Sequence, residues 1–307
     1  MNVSVIIPTL NPGTLLLEMA VMLQRQTLPP HEVIVIDSES ESLYGIPASW
    51  TIVPISRSTF DHGGTRNRAA RLATGDILVF LSQDVMPADD DWLRQLISGL
   101  VAKQVCASFA RQIPYPNTNI LETFARGFNY PSEPHIKSIK DLGQLGVKTF
   151  FFSNACSAVL TSTFWSVGGF PEHTIMNEDM ALCARLLRSG HQVKYEAAAK
   201  VFHAHEYTPW QQFQRSFDSG VFINQFQELL CGAKTTGEGL RFARLQIMYL
   251  WRNGFFLAIP RSILENTFRF AGFTLGRNQK FLPLNLKKRL SLHHRYWDNT
   301  GTIDQGP

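Results

Sequence analysis

An α/β fold with a mostly parallel central sheet is predicted by three observations. Short β-branched runs recur, reading VSVII at residues 3–7, VIVI at 33–36 and ILVFL at 77–81. Each is a continuous apolar run rather than an alternating one, the pattern of a strand covered on both faces. Stretches with helical spacing separate them, and strand–helix alternation is what builds a parallel sheet. All three runs also end in polar residues: Thr9 and Asn11, then Asp37, then Gln83 and Asp84. Ligands of such sheets sit beyond the carboxyl ends of the strands, so these side chains are expected to converge on one crevice.

The elements follow in order. Pro8 to Gly13 breaks the first strand before a helix over residues 15–26. Residues 65–73 carry Arg and Ala at helical spacing, and Gly75 is expected to close that helix. Asp89 to Asp91 are expected to cap a helix over residues 92–100. The small, apolar FFFSNACSAVL at 150–160 leads into a Gly168-Gly169 turn, and a helix follows Asn177-Glu178-Asp179 and stops at Gly190. Residues 194–202 return as a strand that finishes in His203-Ala204-His205. Beyond Thr208 the sequence reads as aromatic-rich helices.

Composition narrows the function classes. A chain of 307 residues, 44% hydrophobic and 18% charged, is globular. Its four scattered cysteines form no CxxC pair, which excludes a zinc ribbon, a redox motif and a disulfide scaffold and fits a reducing compartment. The net charge of +4 is unevenly placed: residues 1–239 hold 18 basic and 22 acidic side chains, residues 240–307 hold 11 and 3. MNVSVIIPTL reads as no secretory leader. The most apolar later stretch, LQIMYLWRNGFFLAIP, is cut by Arg252 and ended by Pro260, short of the roughly 18 to 20 residues of a spanning helix. A cytoplasmic protein that lies on a membrane without crossing it is the expectation.

Four groups of residues carry chemistry. Asp84 follows a strand, where Asp is often a turn former, but Asp89 to Asp91 leave it another role, and carboxylate oxygen is a natural ligand for a divalent cation. Glu178 and Asp179 open a helix, where acids complement the dipole; adjacent positions do not share a face, so one of them is placed to act as a general base. His203 and His205 leave a strand end on one face, where imidazole joins carboxylate at Mn²⁺, Zn²⁺ or Fe²⁺ sites or is simply buried. In FDHGGTRNRAAR, two glycines precede a helix bearing Arg66, Arg68 and Arg71, a setting for backbone approach and phosphate contact. It is neither GxGxxG nor a Walker loop, which removes the main support for a dehydrogenase or a P-loop enzyme.

In order and spacing, SVIIPTLN, VIVIDSES, HGGTRNRAARLATGDILVFLSQD, the NED after VGGFPE and the strand-end HAH resemble the GT-A glycosyltransferases of family 2. FDHGGTRN, SQD, FHAHEYTPWQQFQRSFDSGVF and LPLNLKKRLSLHHRYW are further similar to bacterial rhamnosyltransferases that use dTDP-L-rhamnose. The resemblance implies a GT-A domain over residues 1–232 and a basic, aromatic helical extension over 233–307. It implies donor binding by Thr9, Asn11, Asp37, His62, Gly63, Arg66, Gln83, Asp84 and Arg215, with Gln212 to Arg215 matching the family's QxxR element. It implies Mg²⁺ or Mn²⁺ on Asp84 and His203, and Asp179 as catalytic base. Glu178, His205, Asn154 and Trp165 fall to supporting or acceptor-side places. The family's metal motif carries two aspartates, whereas Ser82 stands at the earlier position here.

The implied reaction is inverting transfer of L-rhamnose to a lipid-linked saccharide during O-antigen-type polysaccharide synthesis. Another nucleotide sugar, or a silent sugar-nucleotide-binding scaffold, are the alternatives. The C-terminal mixture of arginine and aromatic side chains suits an anionic membrane surface or a second copy of the chain; no nucleic-acid motif accompanies it.

Overall fold

The structure, a computed structural model, describes residues 1–234 and 237–299. Of the expected extension, residues 235–236 and 300–307 lie outside the described residues. The chain opens with β1 (Val3–Thr9), α1 (Leu15–Gln24), β2 (Glu32–Asp37), β3 (Thr51–Pro54), α2 (His62–Leu72) and β4 (Ile77–Leu81). It continues with β5 (Met86–Pro87), α3 (Trp92–Val101), β6 (Ala107–Ile113), α4 (Ile120–Asn129), β7 (His135–Lys137) and the single turn α5 (Leu142–Leu145). Then come β8 (Cys156–Leu160), α6 (Thr161–Ser166), α7 (Glu178–Arg188) and β9 (Val193–Phe202). The remainder is helical: α8 (Pro209–Gln225), α9 (Glu238–Arg252), α10 (Ile259–Arg277), α11 (Leu284–Leu290) and α12 (Tyr296–Asn299).

One sheet runs in the order β3-β2-β1-β4-β8-β6-β9-β5, with β7 on β9. The β3-β2-β1-β4 half is parallel, and β8 enters antiparallel between β4 and β6. The period of two sends Ile6, Ile34, Ile36 and Phe80 to a core beneath α2 and α7. Val5, Ile7, Val35 and Val79 go to a second core beneath α1 and α3, which explains the continuous apolar runs. The strand order turns between β1 and β4, so the crevice opens at the carboxyl ends of β1, β2 and β4.

Two local expectations are corrected. No backbone N–H of the first turn of α3 donates to the Asp91 carboxylate, which accepts from Thr27 Oγ1 and pairs with Arg94 Nε; Gln26 Oε1 accepts from Leu93 N instead. Gly75 does not close α2 through a left-handed conformation. A Cβ there would lie 2.5 Å from Ser4 Oγ, so glycine is required for close approach to β1.

The extension is bound to the rest of the molecule backbone to backbone. Helices α8 and α10 cross where Gly220, Gly272 and Gly276 stand, and a Cβ at Gly276 would lie 1.9 Å from Phe217 O. Gly276→Ala is therefore expected to cost about 1–3 kcal/mol through forced separation of the helices. A thermal melt of the purified variant, expected several degrees below wild type, checks this.

Candidate active site

The crevice is a cleft of about 1780 Å³ lined by, among others, Thr9, Ser38, Arg57, His62, Arg66 and Asp84. Its floor is set by the loops after the parallel strands. Gln83 spends its amide on the loop after β1: Oε1 accepts from Thr9 Oγ1 and Leu10 N, and Nε2 donates to Leu10 O. Asp37 is buried and both its oxygens accept from Ser40, while its neighbours Ser38 and Glu39 line the cleft. Asn11, at φ +45°, accepts from Glu41 N and ties the same two loops together. Thus Asp37 and Asn11 fix the loops after β1 and β2 that border the cleft, without lining it themselves.

At the end of β4 three side chains meet. Asp84 Oδ2 lies 3.4 Å from His203 Nε2 and 3.4 Å from His205 Nε2, and the three ligand atoms fall within 4.8 Å of one another. His205, expected in a supporting place, therefore stands beside His203 as an equal, because the chain beyond β9 folds the two rings edge to face at 4.5 Å. Burial alone raises the pKa of Asp84, but His203 and His205 outweigh it and hold the carboxyl at about 2. Burial, then neighbouring His203, lowers His205 to about 4 and keeps it a neutral imidazole at pH 7.

Behind this cluster, Gln112 Oε1 lies 2.8 Å from His203 Nδ1 and also accepts from Arg126. A proton on Nδ1 leaves the Nε2 lone pair facing Asp84, the orientation a metal-bound histidine needs. One carboxylate and two imidazoles suit a divalent cation of the Mn²⁺ type.

The acids at the start of α7 diverge. Glu178 is buried, 3.2 Å from Arg66 Nη1, and accepts from Asn154 Nδ2. Burial opposes its ionisation, but Arg66 and His62 overcome this and lower its pKa. Asp179 keeps partial solvent access and has no cation at ion-pair distance among the described residues. Burial, followed by the Glu178 charge, raises its pKa despite bonds from Asn154 N at 2.9 Å and Met180 N at 2.7 Å. The loop before β8 orients both centres. Asn154 holds the acids, while adjacent Ser153 Oγ accepts from Gln112 Nε2.

Other expected residues fall differently. Arg66 has its charge matched by Glu178, Nη1 also donates to His62 O, and the buried Nε has no partner. Glu178 is the counter-ion of Arg66 rather than an acceptor-side group. Gly63 is not presented to a ligand, since a Cβ there would lie 2.0 Å from Pro171 O; the glycine lets α2 pack on that turn. Trp165 lies at the opposite end of the sheet, because β8 runs antiparallel to β4 and delivers α6 beside Asp76. There it packs under Arg71 at 5.4 Å. Arg215 is exposed on α8, over the Tyr207 ring.

Residues 4–168 match the family model described as Glycosyl transferase family 2. The chain belongs to that family. This glycosyltransferase is 41% identical over 303 residues to the O-antigen chain rhamnosyltransferase WbaN of Salmonella anatum, covering 96% of each chain. It is 39% identical over 307 residues to the O-antigen chain rhamnosyltransferase RfbN of Salmonella typhimurium, covering 97% of each. Among solved structures, the mannosyltransferase PcManGT from Pyrobaculum calidifontis in complex with GDP-Man and Mn²⁺ aligns with a TM-score of 0.60 at 17% identity, over 91% of this chain and 88% of that one. S. aureus TarS 1–349 aligns at 0.56 and 15% identity, over 99% and 90%. These low identities speak to the fold, which is GT-A with added C-terminal helices.

Proposed function

We propose that this glycosyltransferase moves L-rhamnose from dTDP-β-L-rhamnose to a hydroxyl of a lipid-linked saccharide in O-antigen-type synthesis, with inversion. The observation that carries the reading is the identity to two O-antigen chain rhamnosyltransferases along nearly the whole of each chain. The site is consistent with it. Ser38 Oγ, Arg57 Nε and Arg66 Nε are buried polar atoms without a protein partner, and all three residues line the cleft. Unsatisfied donors cost about 1–3 kcal/mol each unless a ligand takes them, so they favour a polar occupant such as a nucleotide.

Asp179 takes the proton of the acceptor hydroxyl. The acceptor oxygen then bonds to the anomeric carbon as the bond from that carbon to the diphosphate oxygen breaks, and the electron pair leaves with dTDP. Displacement on the face opposite the leaving group turns the β-donor into an α-L-rhamnoside. Asp84, His203 and His205 would hold Mg²⁺ or Mn²⁺, whose positive charge offsets that of the leaving diphosphate. Arg215 adds charge from α8. Nucleoside diphosphate release measured across a panel of nucleotide sugars tests the donor. Turnover of dTDP-rhamnose alone is the expected result, turnover of a UDP- or GDP-sugar instead would reassign the donor, and binding without turnover on any lipid-linked acceptor would favour a scaffold.

The acceptor's lipid suggests where the enzyme works, on the inner face of the cell membrane. No helix among the described residues is long and apolar enough to cross one. From the end of α9 into the turn before α10, however, Trp251, Phe255, Phe256 and Leu257 are exposed, Leu257 at 98%, with Arg252 at the end of α9 and Arg261 at the start of α10. Aromatic tips flanked by arginine suit an anionic lipid interface. Flotation with anionic vesicles is expected to carry the wild-type chain and to lose Phe256→Glu. A dimer in solution that ignores vesicles would make a second copy the occupant of this tip.

A further inference from the structure

The C-terminal region does more than decorate the transferase domain, because its last described stretch walls the donor cleft. His293, His294 and Arg295 line it together with Arg57 and His62. The His293 ring meets that of His62 edge to face at 4.9 Å. Helix α8 fixes this arrangement. Asp218 Oδ2 accepts from Leu292 N at 2.9 Å and His293 N at 3.0 Å, and Gln214 Nε2 donates to the carbonyls of Arg289 and Ser291. Asp218 is completely buried, so its bonds are made away from competing water.

The position of this wall along the cleft is informative. Asn11, Ser38 and Glu39 belong to the loops at the nucleoside end, and the Asp84 cluster marks the diphosphate. The general base must stand across the sugar from the leaving group, so the sugar lies between Asp84 and Asp179. Arg66 Nη1 donates to His62 O at 2.8 Å and stands 3.2 Å from Glu178, the residue next to Asp179, so the His62–His293 ring pair sits beside the Asp179 end. Burial lowers the pKa of both rings, His293 to about 3 with His62 as the next cause, so both are neutral at pH 7. A neutral imidazole offers one donor and one acceptor, which matches a sugar hydroxyl better than a dianionic diphosphate.

Resting on the donor reading above, we infer that His293 contacts the sugar of the nucleotide-sugar donor, with Asp218 as the residue that positions it and His62 as its packing partner. The C-terminal region thereby completes the sugar half of the site.

The test separates sugar from nucleotide. In His293→Ala, KM for dTDP-L-rhamnose rises roughly tenfold, the worth of one or two neutral hydrogen bonds, while Kd for dTDP measured calorimetrically stays within about twofold of wild type. His293→Gln, which keeps a donor and an acceptor, recovers part of the loss. Asp218→Asn shifts the same KM with dTDP affinity retained, and thermal melts of all three check that they fold. An unchanged KM in folded His293→Ala overturns the inference, as does equal weakening of dTDP and dTDP-rhamnose. Wild-type protein that binds neither compound would overturn the donor reading instead.

Discussion

Asp179→Asn is expected to lower kcat by about 10²- to 10⁴-fold while dTDP affinity is unchanged. The amide keeps the size of the side chain and can still accept from Asn154 N or Met180 N, so the fold of the α7 start is preserved. Only the proton acceptor is lost. Glu178 cannot substitute, because its carboxylate is held by Arg66 and Asn154. The sign of the pH dependence follows from the raised pKa of Asp179. The base works only when deprotonated, so kcat rises with pH through a midpoint above the ordinary carboxyl value of about 3.9, and Asp179→Asn lacks that limb. Rate–pH profiles of the two proteins, measured at saturating donor, check both statements. Near wild-type turnover in a folded Asp179→Asn protein would remove Asp179 from this role.

The second large effect is expected at the strand-end cluster. With Asp84, His203 and His205 as the donor set, His203→Ala removes one of three protein ligands and leaves a cation held by Asp84 and His205. Gln112→Ala leaves all three ligands but releases the His203 ring from the bond that fixes its proton. Loss of such an orienting partner typically weakens metal by about 10- to 100-fold, and loss of a ligand by more. Titration of Mn²⁺ into chelator-treated protein, followed by the metal's relaxation signal, is therefore expected to rank wild type above Gln112→Ala and Gln112→Ala above His203→Ala. Activity should follow the same order and be abolished by EDTA. Equal Mn²⁺ binding by wild type and His203→Ala would place the cation elsewhere.

Much of this arrangement is legible in the sequence, for a physical reason. The strands at residues 3–9, 32–37 and 77–81 are buried on both faces, so their apolar runs are continuous and their polar ends mark the crevice. Strand β6 is hidden because its sequence, ASFARQI, buries polar residues that have partners only in three dimensions. Ser108 donates to Leu96 O, and Gln112 reaches His203. Strands β5 and β7 are too short to show a period, and β3 is largely exposed.

The site divides in the same way. Asp84, His203 and Asp179 stand at the ends of recognisable elements, where position along the chain already suggests a role. Arg57 carries no motif, Ser38 lies within VIVIDSES without being singled out, and their buried unpaired atoms exist only in the folded cleft. His293 is brought to His62 by bonds to α8 that no spacing rule anticipates. The glycine pair of HGGTRN suggests ligand approach, yet Gly63 serves helix packing, because a missing side chain looks the same in sequence whatever fills its place.

The uneven charge also gains a physical division. Arg252 and Arg261 flank the exposed aromatic tip between α9 and α10, whereas Lys287 and Arg295 line the cleft. On the proposed reading one basic region serves two surfaces, and substitutions at Arg252 and Arg261 are expected to affect vesicle binding without changing donor affinity.

The measurement that bears most directly on the whole account is a transfer assay with dTDP-β-L-rhamnose, Mn²⁺ and a lipid-linked saccharide acceptor, with the product's anomeric configuration read by NMR. An α-L-rhamnoside formed by wild type and lost in Asp179→Asn is the predicted result. A β-linked product, or transfer that survives both the Asp179→Asn change and removal of the cation, would contradict it.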